Sequence, residues 1–120
     1  MWFLETSTLI MHDWANDIFA GQYNIDNLWA QPHVVLSYCR MLRTLETGRV
    51  VSKLAAAEWA KAELDSRWGR LIQRAWDQRP NPSLKIGQPA DPGDCKETLE
   101  FIRYALSLTN YQPMEYHPYV

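Results

Sequence analysis

From Pro32 to Leu64 the chain reads as two helices that must fold against one another. Val34, Tyr38, Met41 and Leu45 fall at i, i+4, i+7 and i+11, so one side of the first helix is apolar and is expected to be buried. Pro32 suits a first helical position, and Gly48 stands where a helix C-cap glycine is expected. Arg49 to Val51 make a short β-biased link, and Ser52 is a ready N-cap for the alanine-rich helix that follows. So short a link forces an angled or antiparallel pair. Ala55, Ala56, Trp59 and Ala60 give the second helix a small-residue face with one large knob, which permits close approach.

A second stripe runs one residue ahead of the apolar one. His33, Ser37, Arg40 and Thr44 form a narrow polar line on the first helix. Lys53 follows Ser52 directly and so lies in the first turn of the second helix. A cation there opposes the helix dipole at a cost of about 0.3–1 kcal/mol, unless a nearby anion uses both the ammonium and the free backbone N–H groups. Phosphate or another anion is the chemistry this points to.

The remaining chain is helical by the same criteria. Leu9, Ile10, Trp14 and Ile18 predict a helix over about 6–19, stopped by Gly21. Residues 21–31 read as a connection with one helical turn near 25–29. Asp65 is expected to cap a third major helix, with Trp68, Leu71, Ile72, Ala75 and Trp76 on one face and Pro80 ending it. Four prolines and two glycines make 80–93 an extended loop. Asp94 is expected to cap the last helix, with Glu97 completing a capping box and Cys95, Leu99, Ile102 and Leu106 as the stripe. The tail from Tyr111 to Val120 has no readable pattern. The expected architecture is all-α: a compact bundle of about five helices in one domain, with Val34, Tyr38, Met41, Leu45, Trp59, Leu71, Ile72, Leu99, Ile102 and Leu106 in its core.

Composition removes several function classes. With 47% hydrophobic and 22% charged residues the chain can bury a core, which excludes wholesale disorder. A net charge of −2 and a pI near 5.9 leave no basic footprint for nucleic acid. No apolar run approaches the length of a membrane span, and the start lacks the pattern of a signal peptide. Cys39 and Cys95 sit in no Cys-x-x-Cys and have no histidine spaced as a metal partner, which points to a reducing, cytoplasmic setting. His33 and Ser37 are one helical turn apart but lack a nucleophile elbow and an orienting third group, so hydrolase chemistry is not indicated.

Val34-Val35-Leu36 followed by Arg40, then Thr47-Gly48-x-Val50-x-x-Lys53, then Ala56-Ala57-x-Trp59-Ala60, resembles the C-terminal helical domain of the aminoglycoside adenylyltransferases that modify streptomycin and spectinomycin. The pattern holds in register over about thirty residues. The resemblance implies a domain that contacts substrate and nucleotide, paired with a preceding nucleotidyltransferase domain that binds ATP and Mg²⁺. It assigns Lys53 to nucleotide phosphate, and His33 and Arg40 to the drug or the partner domain. Asp26 falls at the distance of an acidic residue that meets the cationic aminoglycoside; a second acidic position of the family is Ala30 here, and a family tyrosine is Arg79.

The Gly-Ser turn and Asp-x-Asp pair that would hold the triphosphate and its metal are missing from the sequence, so the chain by itself is expected to be inactive. The apolar start Trp2-Phe3-Leu4 fits either packing on the bundle or a cut from a larger protein. A stand-alone helical interaction module without nucleotide chemistry is the alternative reading.

Overall fold

The computed structural model describes residues 2–78 and 88–109, with side chains described from Ser7 onward. The expectations for Trp2, Phe3 and Leu4 packing, for Arg79, for most of the 80–93 loop and for the tail lie outside the described residues. Among the described residues five α-helices form the fold: α1 (Trp2–Phe19), α2 (Ala30–Thr47), α3 (Lys53–Glu63), α4 (Gly69–Gln78) and α5 (Pro92–Ser107). A 3-10 turn at Ser66–Trp68 leads into α4. The all-α bundle expected from the sequence is what is found.

α2 is the axis, packed against each of α1, α3, α4 and α5. That position explains its burial pattern: Val34, Val35, Leu36, Tyr38, Cys39 and Leu42 are all buried, a wider face than a single stripe. Met41 and Leu45, expected in the core, are only half-buried and pack at its edge. The same holds for Trp59, Leu99 and Leu106, whereas Leu71, Ile72 and Ile102 are fully enclosed as expected. Each enclosed Leu or Ile contributes about 1.5–3 kcal/mol relative to exposure. Thr44 also goes inside, so the polar stripe of α2 is not a solvated face; it runs into the bundle at its C-terminal end.

The helix ends correct three local expectations. α2 starts at Ala30, before Pro32, because the Asn27 side chain accepts hydrogen bonds from the N–H groups of Trp29 (3.0 Å) and Ala30 (2.7 Å). α5 is capped by Asp91, whose carboxylate accepts from the Asp94 N–H at 3.0 Å, with Pro92 at the first helical position. Asp94 is therefore inside the first turn and buried, and its carboxylate takes a bidentate pair from Arg74 on α4. Asp65 caps the 3-10 turn, accepting from Arg67 N–H at 3.0 Å, and α4 itself begins only at Gly69. The Ser52 and Gly48 expectations hold: Ser52 Oγ accepts from Ala55 N–H at 3.1 Å, and Gly48 is left-handed at φ 75° with its N–H on Thr44 O.

Two polar ties fix the start of α2. Gln31, 1% exposed, donates from Nε2 to Thr98 Oγ1 on α5 at 3.0 Å, and Thr98 in turn donates to Asp94 O. The connection before α2 is held to the segment leading into α5 by Leu28 N–H to Gln88 O at 2.9 Å. Both ties set where the first turn of α2, and hence His33, sits.

Candidate functional site

His33 projects from the first turn of α2 into a wall of aromatic rings. Its imidazole stacks on Trp29, with centroids 4.9 Å apart and planes 19° from parallel. Trp14 of α1 meets it edge-on at 5.8 Å. Trp14 is itself stacked on Tyr38 at 5.6 Å and edge-on to Tyr23 at 5.4 Å. Tyr38 is anchored by donating its hydroxyl to Met11 O at 2.6 Å, deep in the core. Both phenols are held in the neutral form more firmly than usual by burial.

Two cations also act on His33. Arg40, two turns along α2, donates from Nε to the carbonyl of Val51 at 2.9 Å. That bond clamps the short link of residues 48–52 onto α2 just before the Ser52 cap, and so fixes where α3 begins. Lys53 is the first residue of α3; it is half-buried and makes no hydrogen bond or ion pair among the described residues. Burial lowers the proton affinity of His33, and the positive charges of Lys53 and then Arg40 lower it further. His33 is thus a neutral imidazole at neutral pH, stacked on an indole.

Asp26 lies elsewhere. Its carboxylate accepts the Ala90 N–H at 3.2 Å, and its own N–H donates to Asn24 Oδ1 at 2.9 Å. It is exposed on the rim of a groove of about 440 Å³ between the end of α1, the connection and the start of α5, lined by Ile18, Tyr23, Ile25, Cys95 and Leu99 among others. Burial lifts the Cys95 thiol there to about 11, with Asp26, Asp94 and Asp91 adding to the effect, so the thiol stays protonated. Tyr23 is the shared wall: it lines this groove and touches Trp14 behind His33. The charges of Lys53 and Arg40 thus act on His33, while Asp26 lies on the rim of a separate groove.

Arg40 and Lys53 suit an oxyanion. Arg40 spends Nε on Val51 and keeps its terminal nitrogens free of partners among the described residues. Lys53 supplies an unpaired ammonium beside the N-terminus of α3. Arg40 also lines a shallow cleft of about 220 Å³ with Ser7, Ser37, Met41, Thr44 and Val50, a cleft that includes neither His33 nor Lys53. No three His, Cys, Asp or Glu side chains converge as metal ligands among the described residues, so these residues do not fit a Mg²⁺ centre.

The aromatic wall escaped the sequence reading. Trp29 and His33 are four residues apart, a spacing that puts two side chains on one helical face, but the helix was expected to start after Trp29. Trp14 comes from another helix, and no local pattern links it to His33.

Neither a curated protein nor a solved structure matches the chain significantly. A family model does: aminoglycoside adenylyltransferase, C-terminal domain, matches residues 11–106, from the middle of α1 to the last turn of α5. With the match spanning all five helices, the chain belongs to the family of aminoglycoside adenylyltransferase C-terminal domains.

Proposed function

We propose that this domain forms the nucleotide- and substrate-facing wall of an aminoglycoside adenylyltransferase, an antibiotic-resistance enzyme in which adenylyl passes from ATP to an aminoglycoside hydroxyl. The observation that carries the reading is the family match over residues 11–106, together with Lys53 at the head of α3 and the terminal nitrogens of Arg40, both without a partner among the described residues. Lys53 takes nucleotide phosphate there. Arg40 holds the link with Nε and offers its terminal nitrogens to the same anion or to the drug, and His33 faces the drug or the partner domain. Asp26 offers a carboxylate to a cationic drug from the adjoining groove.

Mg²⁺ and the reacting groups belong to the preceding nucleotidyltransferase domain in this reading. The bundle's contribution is position and charge. Val50 and Leu54, 72% and 46% exposed, fit a face that such a domain covers. No helix among the described residues is long and apolar enough to cross a membrane.

The test is Lys53→Ala in a protein carrying both domains. ATP use should weaken by more than tenfold, the scale of one charged phosphate contact, about 1.5–3 kcal/mol. Unchanged kinetics would return Lys53 to ordinary surface chemistry and favour a helical interaction module.

A further inference from the structure

A groove lies on the far side of α2 from His33, Ser37 and Arg40. At about 100° per residue, Leu42, Leu45 and Glu46 fall roughly opposite Arg40 on the helix. With Trp59, Glu63 and Leu64 at the end of α3, and Leu108 just past α5, they line a space of about 500 Å³, the size of a small-molecule site. Leu42 is buried and Leu45 and Leu64 are half-buried, which makes the floor apolar. Trp59, also half-buried, adds an indole to the wall, while Glu46 and Glu63 are exposed at the rim.

The charge of this place is negative. The C-terminal ends of α2, α3 and α5 come together here, and each carries partial negative charge on its last carbonyls. Neither α2 nor α5 has a basic residue in its last turn, and Lys61 in the last turn of α3 donates to Gln73 of α4. Glu46 and Glu63 add two full charges. Arg43 shows how the surroundings hold a cation: its Nη1 is 2.8 Å from Glu46 Oε1, and its guanidinium carbon lies 5.2 Å from the centre of the Trp59 ring. Glu63 has no ion pair among the described residues, so one carboxylate remains beside the apolar floor.

We propose that this groove binds a small organic cation with an apolar or aromatic body, its ammonium at Glu63 and its body along Trp59 and the leucine floor. The floor supplies affinity by burial, and the carboxylate and indole select for positive charge. A neutral molecule of the same shape keeps only the burial, and an anion is repelled. The sequence after Thr109 holds no lysine or arginine and one glutamate, so the chain's own C-terminal residues lack the matching charge. The site is independent of the phosphate reading of Lys53.

Three probes with one phenyl body separate charge from shape: phenethylammonium, phenethyl alcohol and hydrocinnamate. Each is titrated into the 120-residue chain at low ionic strength, following the Trp59 indole N–H and the Glu63 and Leu64 amides by NMR. The ammonium should shift these signals and bind about fivefold more tightly than the alcohol, with hydrocinnamate weakest. Glu63→Gln, at an exposed position, should bring the ammonium down to the alcohol's affinity and leave the alcohol unchanged. Added salt should narrow the same gap.

Equal affinity for the three probes, or a preference for the ammonium that survives Glu63→Gln, overturns the proposal. So does the absence of any shift at Trp59. Binding seen only in a chain ending at Thr109 overturns it too, because the groove would then be the seat of the C-terminal segment.

Discussion

The imidazole of His33 lies flat on the indole of Trp29, 4.9 Å between centroids, across the turn that starts α2. That contact buries one face of the ring and contributes to the desolvation that lowers its proton affinity. Trp29→Ala should therefore raise the His33 titration toward the ordinary histidine value near 6.5, as read by NMR. Loss of the stacked pair should also cost about 0.5–1.5 kcal/mol of stability in urea denaturation.

The pH dependence of stability follows from the same residue. His33 binds its proton less readily folded than unfolded, so between its lowered folded value and about 6.5 the unfolded chain holds more protons. Stability then rises with pH through that window and levels off above it. His12, also lowered chiefly by burial, acts in the same sense. Thermal denaturation in a pH series should show this rise in the wild type and a shallower one in His33→Gln; an identical slope in both would remove His33 from the account.

The Arg74–Asp94 pair should behave asymmetrically. Asp94 has only 4% of its side chain exposed and Arg74 36%, with Nη2 and Oδ2 2.6 Å apart. Removing the arginine strands a buried carboxylate, whereas removing the carboxylate frees a guanidinium that can reach water. Arg74→Ala should cost about 2–4 kcal/mol and Asp94→Asn less, compared by urea denaturation. Equal losses would show that the carboxylate is relieved by another route.

Gly48 and Gly21 are both left-handed, at φ 75° and 80°, and a Cβ at either would meet nothing within 4 Å. Alanine at either site should therefore cost about 1 kcal/mol from backbone strain alone. Only Gly48→Ala should also shift the backbone amides of residues 53–55 by NMR, because Gly48 opens the link that Arg40 clamps at Val51 and that sets the start of α3. Unmoved amides at the start of α3 would mean that the link absorbs the change before reaching Lys53.

The purified chain should show no adenylyl transfer to streptomycin or spectinomycin with ATP and Mg²⁺. No metal-binding carboxylate group converges among the described residues, and the sequence holds no Gly-Ser turn to cradle the triphosphate. Turnover above background in a chromatographically clean sample overturns this.

What the sequence determined by itself was the order of helices and the family. Apolar spacing, the Ser52 cap and the Gly48 stop are local signals: each is enforced by backbone hydrogen bonding within a few residues, so they survive whatever the rest of the chain does. The placement of Lys53 at the head of α3 followed from that local chemistry. Competing local signals were misjudged where tertiary contacts broke the tie. Asp94 was the expected cap of the last helix, but Asp91 caps it, and Arg74, twenty residues before Asp94, claims the Asp94 carboxylate. Asn27 likewise started α2 ahead of Pro32.

Only the tertiary structure decided what surrounds the site. A stripe of spacing cannot say which helices pack on it: α2 is covered by four others, so Thr44 is enclosed while Met41 and Leu45 stay at the edge. The wall behind His33 joins residues 14, 23, 29 and 38, and the clamp from Arg40 to Val51 crosses from one helix to the link beyond it. Asp26, close to His33 in sequence, is drawn instead to Ala90 by a backbone N–H that needs an acceptor. Such contacts depend on how helices cross rather than on spacing along any one of them, and that is set by the shape of the whole core.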